Sequence, residues 1–142
     1  MKFLITYYGL LQSLHLLTLA WAGIQMLRGN SSPFPILPPP GGWAAQTLPF
    51  FIGLGFTDLV GILLGIAFAV QALIKKRLNR RLGVISLTIF ITGAIVFAMG
   101  TFPSGAWAAH PVPYGLMAVL FAPTPVLYAW LLVSNLKRNP PG

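Results

Sequence analysis

Apolar residues run along this chain in four long blocks, each broken by only a few polar positions. The blocks lie near Phe3–Leu27, Thr47–Ile74, Leu82–Thr101 and Tyr114–Leu136. A helix needs about 20 mostly apolar residues to cross a bilayer, so each block predicts a transmembrane helix. The second is longer than required and should tilt or begin in the headgroup layer. The pattern predicts an all-α integral membrane protein: a four-transmembrane-helix bundle forming a single domain over residues 1–142. No connection is long enough to make a soluble domain.

Composition agrees. The chain is 56% hydrophobic and 7% charged, with a mean hydropathy of +0.81, whereas soluble domains carry roughly 25% charged residues. Cysteine is absent, which excludes disulfides, thiolate metal sites, iron–sulfur clusters and cysteine nucleophiles. Asp58 is the single acid, and histidine occurs only at His15 and His110. That is a poor catalytic inventory, so an enzyme is not expected, and neither is a metal site with several ligands.

The basic residues predict an orientation. Lys2, the run Lys75, Lys76, Arg77, Arg80 and Arg81, and then Lys137 and Arg138 fall on one side, and only Arg28 on the other. The positive-inside rule then makes both termini and the 75–81 loop cytoplasmic, N-in and C-in. Tyr7, Tyr8, Tyr128 and Trp130 suit the inner interface, and Trp43, Trp107 and Tyr114 the outer one. The net charge of +8 is thus mostly a topology signal, with no nucleic-acid partner expected. The basic loop suits anionic lipid headgroups, and a bacterial plasma (inner) membrane is the expected location. "MKFLITYYGLLQSLHLLTLAWAG" also has the outline of a signal peptide ending at Ala20-Trp21-Ala22. Its basic region is one lysine, and Gln12 and His15 interrupt its apolar run, so retention as a first helix is expected.

The two outer connections share a pattern. Both contain Phe-Pro (Phe34-Pro35, Phe102-Pro103), then Trp-Ala-Ala from Trp43 or Trp107 and then Gln46 or His110. Leu48-Pro49-Phe50 or Val112-Pro113-Tyr114 follows. One account is a parallel repeat of two helical hairpins about an axis along the membrane normal. The other is convergent interface chemistry, with tryptophan anchors and prolines in first helical turns. Pro38–Pro40 followed by Gly41 and Gly42 predicts an extended run and a sharp turn. Asn30-Ser31-Ser32 matches a glycosylation acceptor but lies too close to the membrane to be a good one.

Helix midpoints place the polar groups in depth. The first helix centres on His15, the second beside Asp58, the third near Ile91 and Thr92, and the fourth on Pro125 beside Thr124. A carboxylate at the bilayer centre costs at least about 2.5–3.5 kcal/mol, so it should face the bundle interior and find a partner. His15 is the ionisable candidate. Tyr8, Gln12, His15, Thr18, Ala22 and Gln25 recur at helical spacing, which puts them on one face of the first helix. Gln12, His15, Asp58, Thr92 and Thr124 are therefore expected to form a polar layer. Either the layer only holds the helices together or it also binds something.

On the second helix Gly53, Thr57, Gly61, Gly65 and Ala69 recur every four residues, a small-residue stripe that lets another helix approach. On the fourth, Pro123 and Pro125 remove two donors and free the carbonyls of Val119 and Phe121. That predicts either a simple kink or a broken helix lining a site. Thr88 and Thr92 are expected to bond their own preceding carbonyls.

Three functions fit these features. The first is a non-catalytic accessory or assembly subunit of a larger membrane complex, or a homo-oligomer, needing no cofactor. The second is a small carrier or ligand-binding protein that uses His15 and Asp58 for protons or a cationic solute. The third is haem or chlorophyll binding through His15.

Overall fold

The computed structural model describes residues 1–29, 36–45 and 47–136, without the side chains of Leu48, Asn135 and Leu136. Asn30–Ser32, Phe34-Pro35, Gln46, Lys137 and Arg138 lie outside the described residues. Among those described, every regular element is helical: α1 (Lys2–Leu27), α2 (Thr47–Leu73), α3 (Arg80–Thr101), a 3-10 turn (Phe102–Ser104), α4 (Ala106–Ala109), α5 (Pro111–Phe121) and α6 (Pro123–Leu136). Four helical segments are long and apolar enough to cross a membrane: Lys2–Leu27, Pro49–Leu73, Arg80–Ser104 and Pro111–Ser134. The last contains α5 and α6, joined through Ala122.

The helices run up and down in sequence. Close approaches link α1 to α2, α2 to α3, α3 to α6 and α6 to α1, which closes a four-membered ring. One end of the bundle carries the N-terminus and the 74–79 connection, hereafter the basic end. The other carries the 28–46 and 102–110 connections, the loop end.

Apolar surface covers the outside. Leu10, Leu17, Phe56, Ile74, Met99 and Val119 are among many large apolar side chains left exposed. In water that surface would be costly at roughly 25 cal/mol per Å²; against lipid tails it costs little. The core is correspondingly small and lies toward the basic end, where Ile5, Tyr8, Leu11, Phe68, Leu87, Phe90, Leu127 and Leu131 are buried together.

The helix ends follow local chemistry. Asn79 caps α3, its side-chain oxygen accepting from the Leu82 amide at 3.1 Å, which satisfies one of the free amides of a first turn. At the end of α2, Lys76 takes φ 52° and the Arg77 amide donates to the Gln71 carbonyl at 2.9 Å, as in a left-handed C-terminal cap. Gly105, at φ 84°, turns the chain from the 3-10 turn into α4.

The repeated outer motif is built differently in its two copies. Trp107-Ala108-Ala109 lies in α4, whereas Trp43-Ala44-Ala45 is not helical. Trp107 donates its indole N–H to Thr101 at 2.9 Å; the Trp43 indole N–H is buried without a partner. The following helices nevertheless start at the same step of the motif, α2 at Thr47 and α5 at Pro111.

Candidate functional site

At the basic end, small residues bring three helices together. A Cβ on Gly9 would stand 2.8 Å from that of Ala69, and one on Gly61 would meet Ile89 at 2.9 Å. The space a side chain on Gly65 would fill holds Gln12 Cγ and Ser86 Oγ at 2.9 Å and the Tyr8 hydroxyl at 3.1 Å. Tyr8 and Ser86 share a hydrogen bond of 2.6 Å, and the Ser86 hydroxyl reaches the Gly61 carbonyl at 3.0 Å. These bonds tie α1, α2 and α3 together where water is excluded, so the polar atoms have few other partners. Gln12 is the exception. Its side chain is fully buried, and beyond an interaction with the Tyr8 hydroxyl its amide has no well-formed hydrogen bond.

The small-residue stripe is split by this packing. Gly61, Gly65 and Ala69 are buried against neighbours, whereas Gly53 and Thr57 face outward. Nothing lies within 4 Å of a Cβ on Gly53, and Thr57 bonds the Gly53 carbonyl of its own helix at 3.2 Å.

Midway along the bundle, His15 Nε2 lies 3.8 Å from Asp58 Oδ2. That is an ion-pair separation, too long for a direct hydrogen bond. Asp58 presses its other oxygen toward α3, where a Cβ on Gly93 would meet Oδ1 at 2.6 Å. The His15 ring sits edge-on to Phe90 at 5.9 Å and tilted to Phe121 at 6.3 Å, and its Nδ1 is buried without a partner.

The remaining members of the expected polar layer do not join this pair. Thr92 lies on the outer face of α3. Depth along a helix does not fix rotation about it, and the glycine at 93 is the position that faces Asp58. Thr124 is buried, but its hydroxyl donates to the Phe121 carbonyl at 2.8 Å. Gln12 sits toward the basic end in the packed layer. Tyr8, assigned by its sequence position to an interface, is instead buried at 1% exposure. Tyr114 is also buried, its hydroxyl donating to the Leu37 carbonyl at 2.7 Å.

The kink between α5 and α6 is chemically complete. Pro123 removes one donor from the Val119 carbonyl, and the Ala122 amide takes its place at 3.2 Å. Pro125 does the same to the Phe121 carbonyl, which Thr124 satisfies. The Tyr7 hydroxyl donates to the Leu120 carbonyl at 2.7 Å. The bend has a large consequence for packing: α6 lies against α3 and α1, while α5 makes hardly any close approach to α1, α2 or α3.

The space this leaves is a cavity of about 330 Å³ in the loop half of the bundle. Its walls are α1 from Leu11 to Ala22, α2 from Phe51 to Asp58, α3 from Phe90 to Phe97 and α5 from Pro113 to Phe121. His15, Asp58, Phe90 and Phe121 form the floor. Ile36, from the first connection, also lines it. The adjoining strap at 37–38 is held by Tyr114 and by His110, whose Nε2 donates to the Pro38 carbonyl at 3.0 Å. The walls are almost wholly apolar. Thr18 lines the cavity too, but its hydroxyl is engaged with the His15 carbonyl at 2.9 Å.

Of the basic residues expected at a headgroup surface, Lys75, Lys76, Arg77 and Arg81 are exposed and Arg80 is half-buried. All lie at the end opposite the cavity. No protein-family model, curated protein or solved structure matches the chain.

Two features were missed in the sequence. Gly93 and Gly83 are contact points as tight as Gly65, Gly83 against Phe68 at 2.7 Å, but neither belongs to a stripe of small residues repeating every four positions. The four cavity phenylalanines looked like ordinary apolar positions, because nothing local distinguishes a ring facing a cavity from one facing lipid.

Proposed function

We propose that this chain is a small integral membrane protein, N-in and C-in, that binds an apolar or amphiphilic molecule in the loop half of its bundle without transforming it. The observation that carries the reading is the cavity: apolar walls around a floor that holds Asp58 and His15. Ligand sites are characteristically concave and mostly apolar, with a few polar groups that fix orientation, and span roughly 300–1,000 Å³. The cavity falls within that range. Closed packing toward the basic end makes this a binding site with a floor, and the exposed basic loop at 75–81 suits anionic headgroups on the cytoplasmic side.

A second reading, an accessory subunit of a larger membrane complex, draws on Gly53 and Thr57, the outward half of the small-residue stripe, which suit contact with another helix. Macrocycle ligation by His15 has less support. Nε2 faces the Asp58 carboxylate, and two phenylalanine rings stand against the imidazole.

Native mass spectrometry of the protein released from its membrane in mild detergent separates the readings. A bound small molecule on the single chain, lost in Ala94→Phe, is the outcome expected for a binding protein. Stoichiometric protein partners with no small molecule would favour the accessory subunit.

A further inference from the structure

The polar character of the cavity is lopsided. Asp58 is the sole acidic residue in the chain, and it lines the cavity. None of the lysines and arginines among the described residues does so. Those described (Lys2, Arg28, Lys75, Lys76, Arg77, Arg80 and Arg81) lie at or just beyond the ends of the spans, whereas Asp58 lies midway along one. His15 does not occupy the carboxylate's hydrogen-bonding capacity, because 3.8 Å separates the two groups. An ionised carboxylate accepts at about four lone-pair positions, and here the neighbouring surfaces are a glycine, a histidine ring and apolar side chains.

The rest of the wall is suited to the same sign of charge. Phe51, Phe90, Phe97 and Phe121 all line the cavity. Phe90 and Phe121 meet edge to face at 4.9 Å, and Phe51 lies 6.2 Å from Phe97. Aromatic faces attract cations within about 6 Å, most strongly where water is excluded. A carboxylate beside aromatic rings repels anions and offers a neutral apolar molecule no gain from its charge.

We propose that the cavity takes a lipophilic monocation, an amine or quaternary ammonium group carried on an apolar body, with the positive group against Asp58. This rests on the cavity being a binding site, as proposed above, and adds the chemical class of its occupant. The apolar body fills the space toward Ile36 and Pro113, and the charged group ends at the floor. The positive charge of the basic end does not concentrate cations at the surface, so recognition comes from within the cavity, from the buried carboxylate first and from the aromatic faces beside it.

The test uses the full chain in nanodiscs of neutral phosphatidylcholine, with protein-free discs to subtract partitioning. Three probes of equal length are compared: phenylbutyl-trimethylammonium, its uncharged isostere with carbon in place of nitrogen, and phenylbutyl sulfonate. The unaltered protein is expected to bind the cation at least about tenfold more tightly than the isostere, and the sulfonate most weakly. Asp58→Asn should lower cation affinity most of the way to that of the isostere. Equal binding of cation and isostere by the unaltered protein would overturn the assignment, whether or not the variant folds. So would a cation preference undiminished in Asp58→Asn. Isostere binding without charge preference removes only the ligand class, whereas failure of all three probes removes the binding site as well.

Discussion

Toward the basic end, Gly9, Gly61, Gly65 and Gly83 bring helices close enough that a single added Cβ would collide with a neighbour. Toward the loop end α2 and α3 still meet at Gly93 and Gly100, but α5 stands away from its neighbours, which leaves a cavity of about 330 Å³. The two halves differ in how the fourth span continues. α6 follows the ring of helices, and the proline-directed bend at Ala122 carries α5 away from it. One half of the bundle is thus tightly packed and the other encloses open space. An apolar cavity loses the dispersion contacts it does not fill, and a bundle open along its whole length would lose them twice over.

The largest expected effect comes from forcing the closed half apart. Gly65→Leu places a side chain where Gln12, Ser86 and Tyr8 already converge, and overpacking of this kind costs about 1–3 kcal/mol. Gly53→Leu, on the same stripe but with open space around it, should leave thermal stability in detergent nearly unchanged. Similar losses at both positions would show that the stripe packs along its full length and that the halves do not differ in this way.

A smaller effect, of opposite sign, is expected at Gln12. A buried amide whose only polar neighbour is the Tyr8 hydroxyl leaves most of its bonding capacity unmet, which costs about 1–3 kcal/mol on mutational evidence, and leucine is apolar and of comparable size. Gln12→Leu should therefore raise the melting temperature. A fall would mean that the amide contributes bonding to the closed half that its present surroundings do not account for.

Much of the architecture was legible because span length and apolar content are local properties. Counting residues between charged and aromatic anchors was enough to put His15 and Asp58 at one depth. The same counting gave Thr92 and Thr124 that depth without saying which way they face; Thr92 turned outward and Thr124 bonds across the bend to Phe121. Spacing revealed Gly61 and Gly65, since a pair four residues apart marks one face. Gly9 and Gly93 act singly, each opposite one residue of another helix, and such pairings depend on how the helices are arranged. The cavity was the least legible feature. It arises from the direction of a bend, and "APTPV" announces a bend without giving its direction.

The central claim is that the open half is a ligand site, and filling it tests that claim most directly. Ala94 lines the cavity, and Ala94→Phe projects a ring into it. The measurement is the affinity of a neutral, environment-sensitive fluorophore for the unaltered protein and for Ala94→Phe, both in phosphatidylcholine nanodiscs, with melting temperatures recorded alongside. We predict that the unaltered protein binds saturably and that Ala94→Phe weakens binding at least about tenfold while its melting temperature is held or raised. Equal affinity in the two proteins, with Ala94→Phe fully folded, would contradict the claim.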